Sequence, residues 1–562
     1  MKKEIRVTSL PGFQPSAKVG KINVSPGDEV SEGDILLTLE GAKGTKDLEC
    51  DLCGKVVSIE VEEGDEVKKE DLVIVIECSE EDKKAEKEEK VENIEVEDKY
   101  SAEVVVLGGG PGGYIAAIRA SQNGKSVIII EEDKLGGTCL NRGCIPTKSM
   151  VQSTRVNDLI NSADIFGIEN ATGQISMEKI IDRKDGVVNT LVSGIEASMK
   201  KHNIKVLNGR GRGHDEKSLV VDMDGKKVIV EFENLILAPG SVVSIPNFEG
   251  AFEDDILTSD ELLELKEIPE SLIILGGRVI AMEFAFIYRK LGSKVTVIQR
   301  SNTIFPNIDE DIIEVVRDSA IENGITLLEG TSVKAIKSTV DGGKAVIFDQ
   351  GGEEKVVAAE KVAIATGRKP NLEGLDLDKL GVEICEKTKG IKVDKKMRTT
   401  AENIYAIGDA TNLYNLAHVA SKQGIIAADN INGAEIEMDY SAIPEAVFTE
   451  PEIGLVGMNE KMCKKEGIEY IVGKFPYMAN GKALVENETN GFVKVIADKE
   501  TREIIGAGLV GSAATDLLSV FGNLVTNKNT IDEAKNVIYA HPTVSETVFE
   551  AILDLDNESL HK

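Results

Sequence analysis

Two cysteines and a lysine carry the densest chemistry in this chain. Cys139 and Cys144 stand five residues apart in LGGTCLNRGCIPTK, and Lys148 closes that stretch. If the segment is helical, five residues rise about 7.5 Å along the axis. A disulfide wants its Cα atoms roughly 4.4–6.8 Å apart. Bridging the pair would distort the helix start, and a strained bridge is easier to reduce. The pair therefore reads as a redox-active dithiol or as two buried free thiols, because counting cysteines never gives pairing. Far downstream, His541 precedes Glu546 by five residues. That combination suits a general base and the carboxylate that orients it.

Elements that position a dinucleotide surround the cysteines. Residues 103–107 form an apolar strand, followed by Gly108, Gly110 and Gly113 as G-x-G-x-x-G and then a helix of small residues. The next strand, 127–130, ends at Glu131. The glycines allow a tight turn and let backbone approach a pyrophosphate at a helix N-terminus, while the acid accepts from a ribose hydroxyl. A mobile dithiol beside this site implies that its dinucleotide is a flavin.

A second fingerprint follows in altered form. Strand 271–275 leads into Gly276, Gly277, Arg278 and Ala281, with Glu283 beyond, and strand 295–298 ends at Gln299. Alanine is tolerated at the third glycine position. Arg278 replaces the glycine through which backbone touches pyrophosphate, and Gln299 lacks the carboxylate that selects the ribose. Three readings stay open: altered NAD(P) binding with Arg278 or Arg300 on a phosphate, no nicotinamide at all with electrons leaving to another carrier, or drift in a motif that still works.

The remainder of the chain sets the context. Its 562 residues suggest three to five domains. A net charge of −32 argues against nucleic acid as a partner. No window approaches 18 uninterrupted apolar residues, so no membrane span is expected. The first residues lack an apolar secretory core, and seven cysteines suit a reducing cytoplasm. Residues 27–40, GDEVSEGDILLTLE, repeat at 64–77 as GDEVKKEDLVIVIE. Two such copies make a flattened all-β sandwich with an exposed hairpin between them. Lys43 lies in that hairpin, either as a modified lysine or as a solvated turn residue, with Lys46 as the fallback. Cys50 and Cys53 form half a zinc site with no second pair, so no metal is expected and their role stays open. Residues 79–100 are nearly all charged and read as a mobile linker or a solvated helix.

Repeat and hairpin together, with Glu40-Gly41-Ala42-Lys43 at the turn and Gly54 eleven residues after the lysine, resemble a lipoyl or biotinyl attachment domain. Lys43 is then the lipoyl lysine; the Met-Lys-Met surround typical of biotin is missing. From about residue 101 the chain resembles the pyridine nucleotide-disulfide oxidoreductases, most closely those that oxidise dihydrolipoyl groups. GGTCLNRGCIPTK is nearly that family's redox-disulfide signature. LILAPGS at 235–241, ATGRKPN at 365–371 and IYAIGDA at 404–410 match its return strands and second flavin motif, with Pro239 in place of threonine.

The resemblance implies a homodimeric flavoenzyme with a redox disulfide, using FAD and NAD. Cys139 would exchange with the substrate dithiol, Cys144 would face the flavin, and Lys148 would lie near the flavin ring, paired with Glu283. Asp409 would bond the ribityl chain, with Gly367 and Ala417 also at the cofactor. His541, held by Glu546, would come from the second subunit; Tyr539 stands where the family often has another histidine, and His418 is read as a packing residue. The expected layout is a lipoyl-type domain at 1–78, a linker at 79–100, an FAD-binding domain at 101–245 and an NAD(P)-binding-like domain at 246–370. A central FAD-contacting segment at 371–440 and an α+β dimer-interface domain at 441–562 complete it. The fold is thus α/β, with two Rossmann-like domains. Expected partners are lipoyl-bearing subunits of a 2-oxoacid, acetoin or glycine-cleavage type complex. The alternative to NAD is a protein electron carrier such as ferredoxin or flavodoxin.

Overall fold

The computed structural model describes residues 2–7, 16–31, 33–41, 44–50, 54–69, 71–77 and 98–562. The chain divides into two compact units, Met1–Glu95 and Val96–Lys562. Most of the charged stretch 79–100 lies outside the described residues. Its last three positions do not belong to a linker: they open the strand Asp98–Leu107. Those residues gain ladder bonds to Lys226–Leu237, which a hydropathy reading of a polar run does not foresee.

The first unit is a sandwich of two four-stranded antiparallel sheets. One runs Lys2–Arg6, Leu72–Glu77, Gly54–Ile59, Glu29–Val30; the other runs Gly44–Glu49, Ile35–Gly41, Ala17–Ile22, Glu66–Val67. The sequence repeat is visible as repeated turn chemistry. Asp28 and Asp34 accept from the backbone N–H of Ser25 and Ser31 at 2.8 Å. Asp65 and Asp71, their counterparts, accept from Glu62 and Lys68 at 2.8 and 2.7 Å. Gly27 and Gly64 both take φ near +100° (+102° and +99°), a conformation that favours glycine in each turn. Leu36, Leu39, Val73, Ile74 and Ile76 fill the space between the sheets.

The second unit holds two Rossmann-like folds. The first has parallel strands in the spatial order Lys205–Asn208, Val127–Glu131, Asp98–Leu107, Lys226–Leu237, Ile404–Ala406. The strand Ile404–Ala406 returns from beyond the second fold to complete the first. The second sheet runs Leu257–Thr258, Lys361–Ile364, Ser271–Leu275, Lys294–Ile298, Thr326–Leu328, all parallel. Near-continuous Val, Ile and Leu in these strands fits burial on both faces. A five-stranded antiparallel sheet, Pro444–Val447 to Ile504–Gly511, packs against the helices Ala514–Thr526 and Glu546–Asp554. No helix among the described residues is long and apolar enough to cross a membrane.

Candidate active site

The cysteine segment is not one distorted helix but two helices. Cys139 lies in Gly137–Arg142, Gly143 breaks the chain at φ −141°, ψ −111°, and Cys144 opens Cys144–Asn161. A Cβ on Gly143 would stand 2.9 Å from Thr138 O, so the reversal needs glycine. The break brings the two sulfurs into hydrogen-bond contact as thiols. Cys139 is the donor: its bond to Cys144, with burial, pushes its thiol far above the ordinary range. Cys144 is lowered to about 7, by the bond from Cys139, against burial, and by the charge of Lys148. Its place at the N-terminus of a long helix favours the same thiolate.

Lys148 sits one turn further along that helix. Its Nζ lies 2.9 and 2.8 Å from the two carboxylate oxygens of Glu283, and 4.6 Å above the Phe448 ring. Glu283 is buried and also accepts from Phe448 N at 3.0 Å. The three contacts join both nucleotide folds to the C-terminal domain.

Cys139, Cys144 and Lys148 line a cavity of about 640 Å³. Gly108, Gly110, Gly113 and Glu131 line it too. Gly108 takes φ +104°, and a Cβ there would lie 2.1 Å from Ala238 O. A Cβ on Gly110 would meet nothing nearer than Gly137 Cα at 3.9 Å. Space is therefore open above the N-terminus of the helix Pro111–Gln122, where a pyrophosphate would approach. Glu131 accepts from Gly109 N at 2.6 Å and from Asp133 N at 2.9 Å. Burial pushes its carboxyl above the usual range, with the Gly109 bond opposing. Size, open glycine, acid and helix terminus together fit a flavin adenine dinucleotide.

Asp409, Gly367 and Ala417 line the same cavity. The sequence reading did not single out what holds Asp409. Ser241 Oγ donates to it, and Arg368 donates from Nε to Ser241 Oγ at 2.8 Å. Burial pushes Asp409 above the usual carboxyl range. Arg368 also reaches Thr138 Oγ1 at 3.4 Å, beside Cys139. The only sequence signal was that Ser241 and Arg368 fall inside the two return-strand motifs.

His541 Nδ1 lies 3.0 Å from Glu546 Oε1, and Glu546 Oε2 accepts from Thr543 N at 3.0 Å. Burial opposes the shift, but these bonds hold Glu546 below the usual carboxylate range. The His541 side chain is 79% exposed and lies outside the cavity, so one chain does not bring it to Cys139. His418 contacts Pro444 O at 2.8 Å through Nε2, on the helix Ala417–Ile431. Arg278 lines the cavity; Gly276 and Gln299 do not. Gln299 is buried, with its Nε2 3.3 Å from Thr303 O. Lys43 and Cys53 lie outside the described residues. Gly41 pairs with Gly44 on either side of Ala42 and Lys43, while Lys46 sits within a strand, opposite Leu39.

A polarised dithiol in a dinucleotide-sized cleft, followed by a second nucleotide fold, defines a dinucleotide-dependent dithiol oxidoreductase. Residues 102–424 match the pyridine nucleotide-disulphide oxidoreductase family, and 443–552 match its dimerisation domain. Residues 3–76 match the family described as biotin-requiring enzyme, the biotin/lipoyl domain. The chain is 38% identical to a dihydrolipoyl dehydrogenase of Bacillus subtilis, over 82% of this chain and 99% of that one. It is 37% identical to one from Haloferax volcanii, over 82% and 97%. Among solved structures, LpdA from Mycobacterium tuberculosis aligns with a TM-score of 0.75 at 27% identity, covering 81% of this chain and 99% of LpdA. The flavoprotein disulfide reductase RclA from Escherichia coli gives 0.72 at 26%, covering 80% and 99%. The chain belongs to the pyridine nucleotide-disulphide oxidoreductase family.

Proposed function

We propose that this enzyme oxidises dihydrolipoyl groups to lipoyl disulfides and passes the electrons through FAD to NAD+. The observation that carries the reading is the geometry of the pair: Cys139 and Cys144 in contact on the cavity wall, with Cys144 at a helix N-terminus one turn before Lys148, which Glu283 fixes. In the oxidised enzyme the two sulfurs form a disulfide. A substrate thiolate attacks Cys139, and Cys144 departs as the thiolate, because the lower-pKa sulfur leaves faster. The second substrate thiol then displaces Cys139 sulfur from the mixed disulfide. The substrate ends as a disulfide, and the enzyme gains two electrons and the dithiol. The partner subunit's His541, oriented by Glu546, takes the proton of the attacking thiol in the homodimer. The bound flavin supplies the two-electron relay between dithiol and nicotinamide. Lys148, fixed by Glu283, holds a positive charge beside Cys144 throughout.

The N-terminal unit carries its own lipoyl group on Lys43, and lipoyl-bearing subunits of a 2-oxoacid, acetoin or glycine-cleavage type complex are the partners. Tethering raises the effective concentration of lipoyl group at the cavity. The enzyme works in the cytoplasm, where its thiols stay reducible. NAD+ is favoured over a protein carrier because relatives of near-full length are named dihydrolipoyl dehydrogenases. Anaerobic dihydrolipoamide should bleach the flavin absorbance, and Cys144→Ser should abolish turnover; unchanged turnover would overturn the reading. Intact mass should show one lipoyl group, absent in Lys43→Arg.

A further inference from the structure

The second nucleotide fold carries a charge pattern that the proposed NAD+ chemistry does not explain. In a dinucleotide fold, the acid ending the second strand accepts the ribose 2′-hydroxyl, and a nearby arginine accommodates a 2′-phosphate. That acid would also repel the 2′-phosphate of a phosphorylated dinucleotide. The flavin fold keeps it as Glu131. In the second fold Gln299 stands there, and Arg300 follows it, exposed.

Arg278 and Arg300 share a further property. Among the described residues, the side chain of every other arginine makes a hydrogen bond, ion pair or other electrostatic or ring contact, such as Arg119 with Asp429 and Arg502 with Asp556. The guanidinium groups of Arg278 and Arg300 make none. This holds in a chain with 97 acidic residues against 65 basic ones, where carboxylates abound. Both arginines sit at the carboxyl ends of neighbouring parallel strands. Leu275 and Ile298 are partners in the ladder; Arg278 lies three residues past the first and Arg300 two past the second. The crevice outside those strand ends is where open α/β sheets bind ligands. A guanidinium with all its donors unspent suits a phosphate, which it grips through two parallel bonds.

We propose that the second fold binds the 2′-phosphorylated dinucleotide, NADP(H), in preference to NAD(H) at these strand ends, with Arg300 on the 2′-phosphate and Arg278 on the pyrophosphate. This rests on the reading that the second fold takes a nicotinamide dinucleotide, and changes which one it prefers. Arg300 and Gln299 set selectivity; Arg278 adds affinity that both dinucleotides share.

The test uses half-ligands on the full-length flavoenzyme, so no step depends on the dithiol. Isothermal titration should show adenosine 2′,5′-bisphosphate binding roughly tenfold or more tightly than 5′-AMP, the value of a charge-assisted contact. Arg300→Ala, at an exposed and unpaired residue, should erase that ratio and leave 5′-AMP unchanged. Arg278→Ala should weaken NADP+ and NAD+ by the same factor. The preference should shrink with added salt. In turnover, kcat/KM should be higher with NADP+ than with NAD+. Equal or tighter binding of 5′-AMP by the unaltered enzyme would overturn the proposal, as would an unchanged ratio in Arg300→Ala. Binding of neither would overturn it together with the nicotinamide step, while reduction of the flavin by dihydrolipoamide would still stand or fall separately.

Discussion

At the first turn of each nucleotide fold the same hydrogen bonds recur. Gly108 N donates to Ile130 O at 2.8 Å, and Gly276 N to Ile298 O at 2.9 Å. Ala238 N reaches Leu107 O, and Ala365 N reaches Leu275 O, both at 2.8 Å. Gly109 O accepts from Gly136 N at 2.8 Å, and Gly277 O from Phe305 N at 2.9 Å. A Cβ on Gly108 or Gly276 would strike the carbonyl of the returning strand, at 2.1 or 2.4 Å. The backbone frames coincide; the side chains facing the ligand do not. Where one fold has Gly110 and Glu131, the other has Arg278 and Gln299. Sterics of the turn fix the glycine that touches backbone, and leave free those that touch only ligand.

The second fold is also held by a duty to the first. Its helix Val279–Leu291 starts at the altered fingerprint and carries Glu283 to Lys148. So Arg278 and Glu283, five residues apart, answer to different sites. Glu283 is held by its bond to Lys148, whereas Arg278, on the cavity wall, makes no side-chain bond within the chain.

Grafting the second fold's arginine onto the first gives the largest expected effect. Gly110→Arg has room to fold, since a Cβ there meets nothing within 3.8 Å and Gly137 Cα only at 3.9 Å. It would fill the space a pyrophosphate needs. The variant should purify with unchanged far-ultraviolet circular dichroism and no flavin. Normal flavin content would show that the two turns differ in sequence alone.

Glu131→Gln, the matching graft at the strand end, should act less severely. Gly109 N would keep a bond to an amide oxygen, but the ribose hydroxyl would meet a neutral amide in place of a carboxylate, weakening that contact by about 1–1.5 kcal/mol. Titration of apoprotein with FAD should show affinity about tenfold lower. Unchanged affinity would mean that the acid is not what separates the two folds at this position.

Much of this layout could be read from sequence because it is local. A strand, three glycines, a helix and an acid lie between residues 103 and 131, and hard-sphere contacts of a single turn impose them. The repeat at Gly27 and Gly64 was readable for the same reason. The bond from Ser241 to Asp409 crosses 168 residues, and Phe448 N reaches Glu283 across 165. Such contacts follow from packing of whole sheets, which no short pattern encodes. The break at Gly143 was missed for a subtler reason. A C-x4-C spacing looks continuous, and only the close approach to Thr138 O requires the chain to reverse. The pairing of His541 with Glu546 was local enough to see, whereas within one chain nothing brings that pair to the cavity that Cys139 lines.

A smaller effect is expected where the two folds meet. In Lys148→Met, Cys144 loses a neighbouring cation, which removes one of the influences lowering its pKa to about 7. The thiolate is populated above that pH and lost below it. Alkylation of the reduced enzyme by iodoacetamide should therefore rise with a midpoint near 7, and in the variant the midpoint should move up towards an ordinary thiol near 8.5. An unmoved midpoint would assign the lowering to the Cys139 bond and the helix terminus alone.

The smallest effect should come from restoring the third glycine. Gly113 has no room for a methyl: its Cβ would lie 1.9 Å from Gly108 O. Ala281, its counterpart, is fully buried, and its Cβ stands 3.3 Å from where one would project from Gly276. The second helix thus leaves room for the methyl that the first excludes. Ala281→Gly opens a gap of one methyl and places glycine in the first turn of a helix, at a cost of about 0.5–1 kcal/mol. Urea unfolding should show a loss of that size, with affinity for both dinucleotides unchanged, because the methyl packs inward against the turn. A tighter dinucleotide in Ala281→Gly would mean that the helix had moved closer to its ligand, and that the spacing of this turn, as well as its charge, separates the second fold from the first.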